Sequence, residues 1–137
     1  MTTPLSFRRS DLGTTQFETS DEAWSALGSF LTSDIQRSTW HLVDILAVLE
    51  DARDGRLQSE PLSGNSWEGE VTRSQLTLQD LTSDDWTGTY SWDQAHDALL
   101  AYWDYLSPSS EKKAGDLRQW EHSEERDHPC RRHLALD

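Results

Sequence analysis

The stretch from Gly64 to Leu81, GNSWEGEVTRSQLTLQDL, alternates its side chains with a period of two on either side of Arg73-Ser74. Strands send successive side chains to opposite faces. Trp67, Gly69 and Val71 therefore share one face of a first arm, and Leu76 and Leu78 one face of a second. The other face carries Glu68, Glu70, Thr72, Thr77 and Gln79. Gly64-Asn65 is a turn signal at the start, and Arg73-Ser74 is the tip of an antiparallel hairpin. A lone hairpin is marginal in water and requires a partner layer. Amphipathic segments flank it on both sides. The pattern predicts a small α+β domain: an N-terminal helix pair, a small antiparallel sheet built on the hairpin, and a C-terminal helix packed against that sheet.

Residues 1–13 read as an irregular lead-in, and Thr14–Glu18 as a short strand able to join the hairpin. Thr19 with Glu22 fits a capping box before the apolar series Trp24, Leu27, Phe30, Leu31 and Ile35. Gly28 is the weak point of that helix, costing about 1 kcal/mol relative to Ala. A second series, Trp40, Leu42, Val43, Ile45, Leu46, Ala47 and Leu49, is too broad for a helix with one buried stripe. It suits either a helix buried between two layers or one that contributes to an interface, started by Ser38-Thr39 and stopped at Asp54-Gly55, with one long helix over 20–53 as the alternative to two helices at an angle. Residues 56–63 lead into the hairpin. After Leu81 comes a loop, then a short strand over 87–90. Ser91 and Gln94 form another capping box, opening a helix that buries Trp92, Ala95, Leu99, Tyr102, Trp103 and Leu106. Ser107-Pro108 marks the end of a domain spanning 1–106. Residues 107–137 are predicted to be a charged, flexible tail with at most a short helix near Leu117–Trp120.

The formal charge of −13 is unevenly placed. Residues 1–106 hold 18 acidic and 6 basic side chains, a balance of −12; the remainder hold 7 and 6. Such a body repels nucleic acid and anionic membranes and attracts basic proteins. Cys130 is the only cysteine, so no internal disulfide forms and no oxidising compartment is implied. With no signal peptide and no apolar span, the expected location is cytoplasmic.

Chemistry-bearing motifs are sparse. GxxxxGK[ST] and GxGxxG are absent. His41 has Asp44 nearby, and His96 has Asp93 and Asp97, spacings that suit solvated acid–histidine pairs on helices. His122, His128, Cys130 and His133 offer zinc-type ligands, but their spacing matches no zinc module, and a flexible tail would not orient them. No catalytic residue, metal or cofactor is expected, and the chain reads as a non-enzyme. The informative mixture follows the hairpin: Asp80, Asp84, Asp85 and Trp86, together with Glu68 and Glu70 on the outer face. An aromatic anchor amid carboxylates is what a binder of a basic protein surface requires.

The segments SFLTSDIQ (29–36), LSGNSWEGEV (62–71), QLTLQDL (75–81) and LLAYWDYL (99–106) resemble the small intracellular immunity proteins of contact-dependent growth inhibition and related polymorphic toxin systems. The resemblance covers 14–106 and rests on framework features. It implies a non-enzymatic inhibitor that binds its cognate toxin domain, often a nuclease, and it assigns no binding residue position by position. The alternative is a nucleic-acid mimic that occupies the groove of a host defence or DNA-processing enzyme.

Overall fold

The computed structural model describes residues 4–36, 38–64, 66–82, 87–106 and 110–134. The fold is α+β, with two antiparallel sheets and, among the described residues, five α-helices. It opens with β1 (Leu5–Arg9) and β2 (Thr15–Thr19), paired so that Phe7 faces Phe17. The strand expected near residues 14–18 thus exists, but it does not extend the central hairpin. Its partner comes from the lead-in read as irregular, and the two make a separate sheet. Phe7 packs edge-on against Tyr102, with ring centroids 4.8 Å apart. Phe17 lies against Gly28, where an added Cβ would come within 2.5 Å of the ring. The glycine that weakens the helix is therefore what lets this hairpin close on it.

The first helical run changes pitch twice: a 3-10 turn Glu22–Trp24, α1 (Ser25–Ser29) and a π-helical stretch Phe30–Ile35. Asp21, rather than Thr19, caps it, accepting from the Ala23 N–H at 3.0 Å. Thr19 instead accepts from the Asp21 N–H. The wider stretch sets Asp34 against the hairpin entrance, where its carboxylate accepts the N–H groups of Ser66 and Trp67 at 3.0 and 2.9 Å. A Cβ on Gly64 would sit 2.2 Å from Asp34 Oδ2, so this clamp requires glycine at that turn.

Helix α2 (Thr39–Arg53) starts on the Ser38 cap. Of the two causes expected for its breadth of apolar residues, the structure shows burial between layers. Leu42, Val43, Ile45, Leu46, Ala47, Leu49 and Ala52 are all buried, between β-strands and α3 (Trp92–Tyr105) on one side and α4 (Ser110–Glu124) on another. Trp40 is the exception in that series and is 38% exposed.

The second sheet has the order β3-β4-β5-β6: β3 (Ser59–Ser63), β4 (Trp67–Thr72), β5 (Gln75–Asp80) and β6 (Thr87–Ser91). β4 and β5 are the hairpin, in the register that puts Val71 opposite Leu76 and Gly69 opposite Leu78. Trp67, Val71, Leu76, Leu78 and Tyr90 form its buried face. β3 occupies an edge, the place where a sheet tolerates Pro61. The Tyr90 hydroxyl accepts from the Leu27 N–H and donates to the Ala23 carbonyl, fastening β6 to α1.

Helix α3 begins on the capping box of Ser91 and Gln94, and all six of its anticipated core residues are buried. The larger departure follows it. The segment read as a flexible tail forms α4 and α5 (Arg131–Leu134), and Leu117, Trp120, Cys130 and Leu134 join the core. Polar contacts tie it down at both ends of α2: Asp116 accepts from the Thr39 hydroxyl, and Arg126 pairs two-pronged with Asp51 at 2.6 and 3.1 Å. The N-terminal helix pair is thus preceded by a strand pair, and α3 is followed by a further helical layer.

Candidate functional site

Of the residues expected to bind a partner, the three that the structure describes do not share one face. Glu68 and Glu70 project from the outer, solvent-facing side of β4, opposite Gln79 and Thr77. Glu68 lines a shallow depression of about 420 Å³ together with Ser63, Thr77, Gln79, Thr87 and Thr89. Asp80 pairs with Trp67 in the register, so its side chain belongs to the opposite face. It accepts from the Thr82 N–H at 2.7 Å and from the Thr82 hydroxyl at 2.6 Å, which shapes the turn after β5. Asp84, Asp85 and Trp86 lie outside the described residues.

A second constellation joins residues that sequence reading kept apart. Glu50 near the end of α2, His96 on α3 and Cys130 just before α5 meet beside a depression of about 300 Å³ that Leu100, Arg132 and His133 also line. Glu50 Oε1 lies 3.1 Å from His96 Nε2. Cys130 Sγ lies 3.6 Å from Glu50 Oε1 and 3.6 Å from His96 Nε2. The His96 ring is held from behind: it stacks on Trp92 at 4.4 Å, and Arg53 covers the Trp92 ring at 4.1 Å. Trp92 Nε1 in turn donates to the Leu49 carbonyl at 2.7 Å, which joins α3 to α2 one residue before Glu50.

Cys130 is placed by His128. The His128 side chain is bonded at both ring nitrogens: Nδ1 accepts the Cys130 N–H at 2.9 Å, and Nε2 meets the Val43 carbonyl at 2.7 Å. Accepting at Nδ1 leaves the proton on Nε2, so the ring is neutral. Burial acts the same way, pushing its pKa below the usual histidine value. The His128 N–H donates to Glu121, and its ring packs on Trp120. With both nitrogens occupied, His128 has no free ligand atom, so the cluster of His122, His128, Cys130 and His133 does not assemble as a metal site. His133 pairs with Asp104 at 3.0 Å, and His122 is exposed. Replacing His128 with Ala takes the acceptor from the buried Cys130 N–H, costing about 1–3 kcal/mol, and leaves a cavity beside Trp120, while the Val43 carbonyl keeps its bond within α2. His128→Ala is expected to lose about 2–4 kcal/mol in urea unfolding, while His122→Ala changes it by less than about 0.5 kcal/mol.

The chemistry of the cluster follows from its geometry. In a cysteine–histidine–acid relay the thiol and the carboxylate engage opposite nitrogens of the ring. Here both approach Nε2, so proton relay through the imidazole is not built in. Burial, and then the Glu50 carboxylate, push the Cys130 thiol far above the usual cysteine range, which disfavours a free thiolate nucleophile. Burial likewise lowers the His96 pKa, with Glu50 opposing it, and so favours the neutral ring. No helix among the described residues is long and apolar enough to cross a membrane. Comparison with protein-family models, with curated proteins and with solved structures finds no match for this chain.

Proposed function

We propose that this protein acts by stoichiometric binding, as an immunity-type inhibitor that covers a basic toxin domain, of nuclease type, through its acidic surface. The observation that carries the reading is the fate of its cations. Arg8, Arg53, Lys112, Arg126 and Arg131 are spent in ion pairs with Glu18, Asp93, Asp116, Asp51 and Glu121. Lys113 is buried, donating to the Trp103 carbonyl and lying over the Trp103 ring. Each pair cancels one acid with one base, so 25 acids and 12 basic residues become 20 and 7, and the undiminished excess of 13 negative charges sets an outward negative field. Such a field raises the association rate with a basic partner and suppresses binding to nucleic acid.

The outer face of β4 and β5 supplies a surface for that contact. Glu68 and Glu70 stand on it without an opposing cation in the cross-strand register, where Gln79 and Thr77 sit instead. Exposed acids outside those ion pairs also occur at Asp11, Asp44, Asp54 and Glu111. This spread favours long-range steering over a linear mimic of phosphates. The double variant Glu68→Lys/Glu70→Lys, immobilised beside the wild type, tests the surface against a low-salt lysate of the source organism. The variant is expected to release the captured basic protein at clearly lower salt, with an association rate down about tenfold. Equal elution and equal rates would remove this face from the proposal.

A further inference from the structure

Three different ligand types converge where the last helical layer meets the body, and the binding of a basic partner makes no use of them. We propose that Glu50, His96 and Cys130 form a mononuclear site for a divalent transition-metal ion of the zinc class, with a fourth coordination position open to solvent.

The first support is metric. Zn–S bonds of about 2.3 Å and Zn–N and Zn–O bonds of about 2.0–2.1 Å place the ligand atoms of a tetrahedral site about 3.5 Å apart for S···N and S···O, and about 3.3 Å apart for N···O. The corresponding separations are 3.6, 3.6 and 3.1 Å. An ordinary histidine–carboxylate pair explains the short N···O distance alone. The thiol also lies at S–H hydrogen-bonding distance from both groups, but its single proton serves only one of them at a time. A cation just off the plane of the three ligand atoms is compatible with all three distances.

The second support is chemical. Thiolate, imidazole and carboxylate together suit zinc and its neighbours, whereas magnesium and calcium take oxygen ligands only. The shell around the ligands is built. Trp92 fixes the plane of His96, and His128 holds the Cys130 backbone. Outer partners of this kind orient ligands and raise affinity. The third support is topological. The ligands come from α2, α3 and the segment before α5, so an ion would staple the C-terminal layer to the body. The neighbouring depression of about 300 Å³ gives water or a small anion access to the fourth position. Binding exchanges one proton for the ion: the Cys130 S–H bond breaks, the sulfur–metal bond forms, and the proton leaves to solvent with no change of oxidation state.

The test uses the full chain, stripped with chelator and titrated with cobalt(II), then with zinc. One equivalent of cobalt is expected to give visible d–d bands and a near-ultraviolet thiolate-to-cobalt band, both erased by one equivalent of zinc. Zinc is expected to raise the melting temperature and to protect Cys130 from alkylation. Cys130→Ser is expected to lose the near-ultraviolet band, and Cys130→Ser and His96→Gln each to weaken zinc binding more than about 100-fold, beyond the 10–100-fold typical of an outer-shell loss. His133→Gln is expected to keep the stoichiometry. Alkylation protection is read on the wild type alone, so it decides the matter even if a variant fails to fold. An alkylation rate unchanged by excess zinc, or zinc affinity equal in wild type and Cys130→Ser, would overturn the site.

Discussion

Deleting residues 110–137 is expected to abolish cooperative unfolding. Trp120 is 3% exposed, Leu117 3% and Leu134 0%, and all three belong to the layer that the deletion removes. A buried Trp covers 150–250 Å², worth about 4–6 kcal/mol at ~25 cal/mol per Å². Each buried Leu adds about 2 kcal/mol. The total of about 8–10 kcal/mol is an upper value, because the unfolded chain already hides part of this surface. It is nonetheless comparable with the 5–15 kcal/mol that holds an ordinary domain folded. The deletion also takes Arg126 from the buried Asp51 and Lys113 from the Trp103 carbonyl. Thermal scans followed by circular dichroism and amide chemical-shift dispersion check it. A sharp transition within a few degrees of the full chain would show that α4 is an accessory rather than part of the fold.

Trp67→Ala is expected to be the most damaging single substitution in the sheet, losing about 3–5 kcal/mol. Trp67 is 1% exposed at the start of β4, and its indole donates to Ser29 Oγ at 3.1 Å. Its backbone N–H is held by Asp34. One residue therefore fills the core, satisfies a helix side chain and fixes the hairpin entrance. Trp67→Phe keeps most of the volume and is expected to lose about half as much. Urea unfolding reads both: with a slope of 1–3 kcal/mol per M, the Ala midpoint falls by on the order of 2 M. A fall of less than ~0.5 M would mean that the core closes without this side chain.

How much of this was legible depended on which force shapes each element. The hairpin, α2 and α3 are apolar patterns with end signals, and period, cap and stop residues announce them. β3 was hidden by Pro61, which is acceptable only because the strand lies at an edge, a fact of topology rather than of local sequence. β1 was missed because LSFRR is short and its partner lies across a turn. The C-terminal layer was misread for a different reason. Few apolar residues suggest too little core to order a segment, yet among the described residues Leu117, Trp120, Cys130 and Leu134 are all buried. The rest is ordered by polar bonds to backbone and to Asp51, which leave no periodic trace. Glu50 and His96 lie 80 and 34 residues from Cys130, so their meeting has no sequence signature at all. The hint available was an odd one: a single cysteine flanked by histidines in a segment of low hydropathy.

The outer face of β4 and β5 and the metal constellation are formed by different elements, so either proposal can fail without the other. The measurement that bears most directly on function is a titration. The basic protein retained from the source lysate is purified, and its nuclease activity is assayed against increasing amounts of this chain. Linear loss of activity, reaching zero at one equivalent and weakened in the Glu68→Lys/Glu70→Lys variant, is the predicted result. Full activity of the captured protein at saturating excess, or capture of no basic protein at low salt, would contradict the inhibitor account.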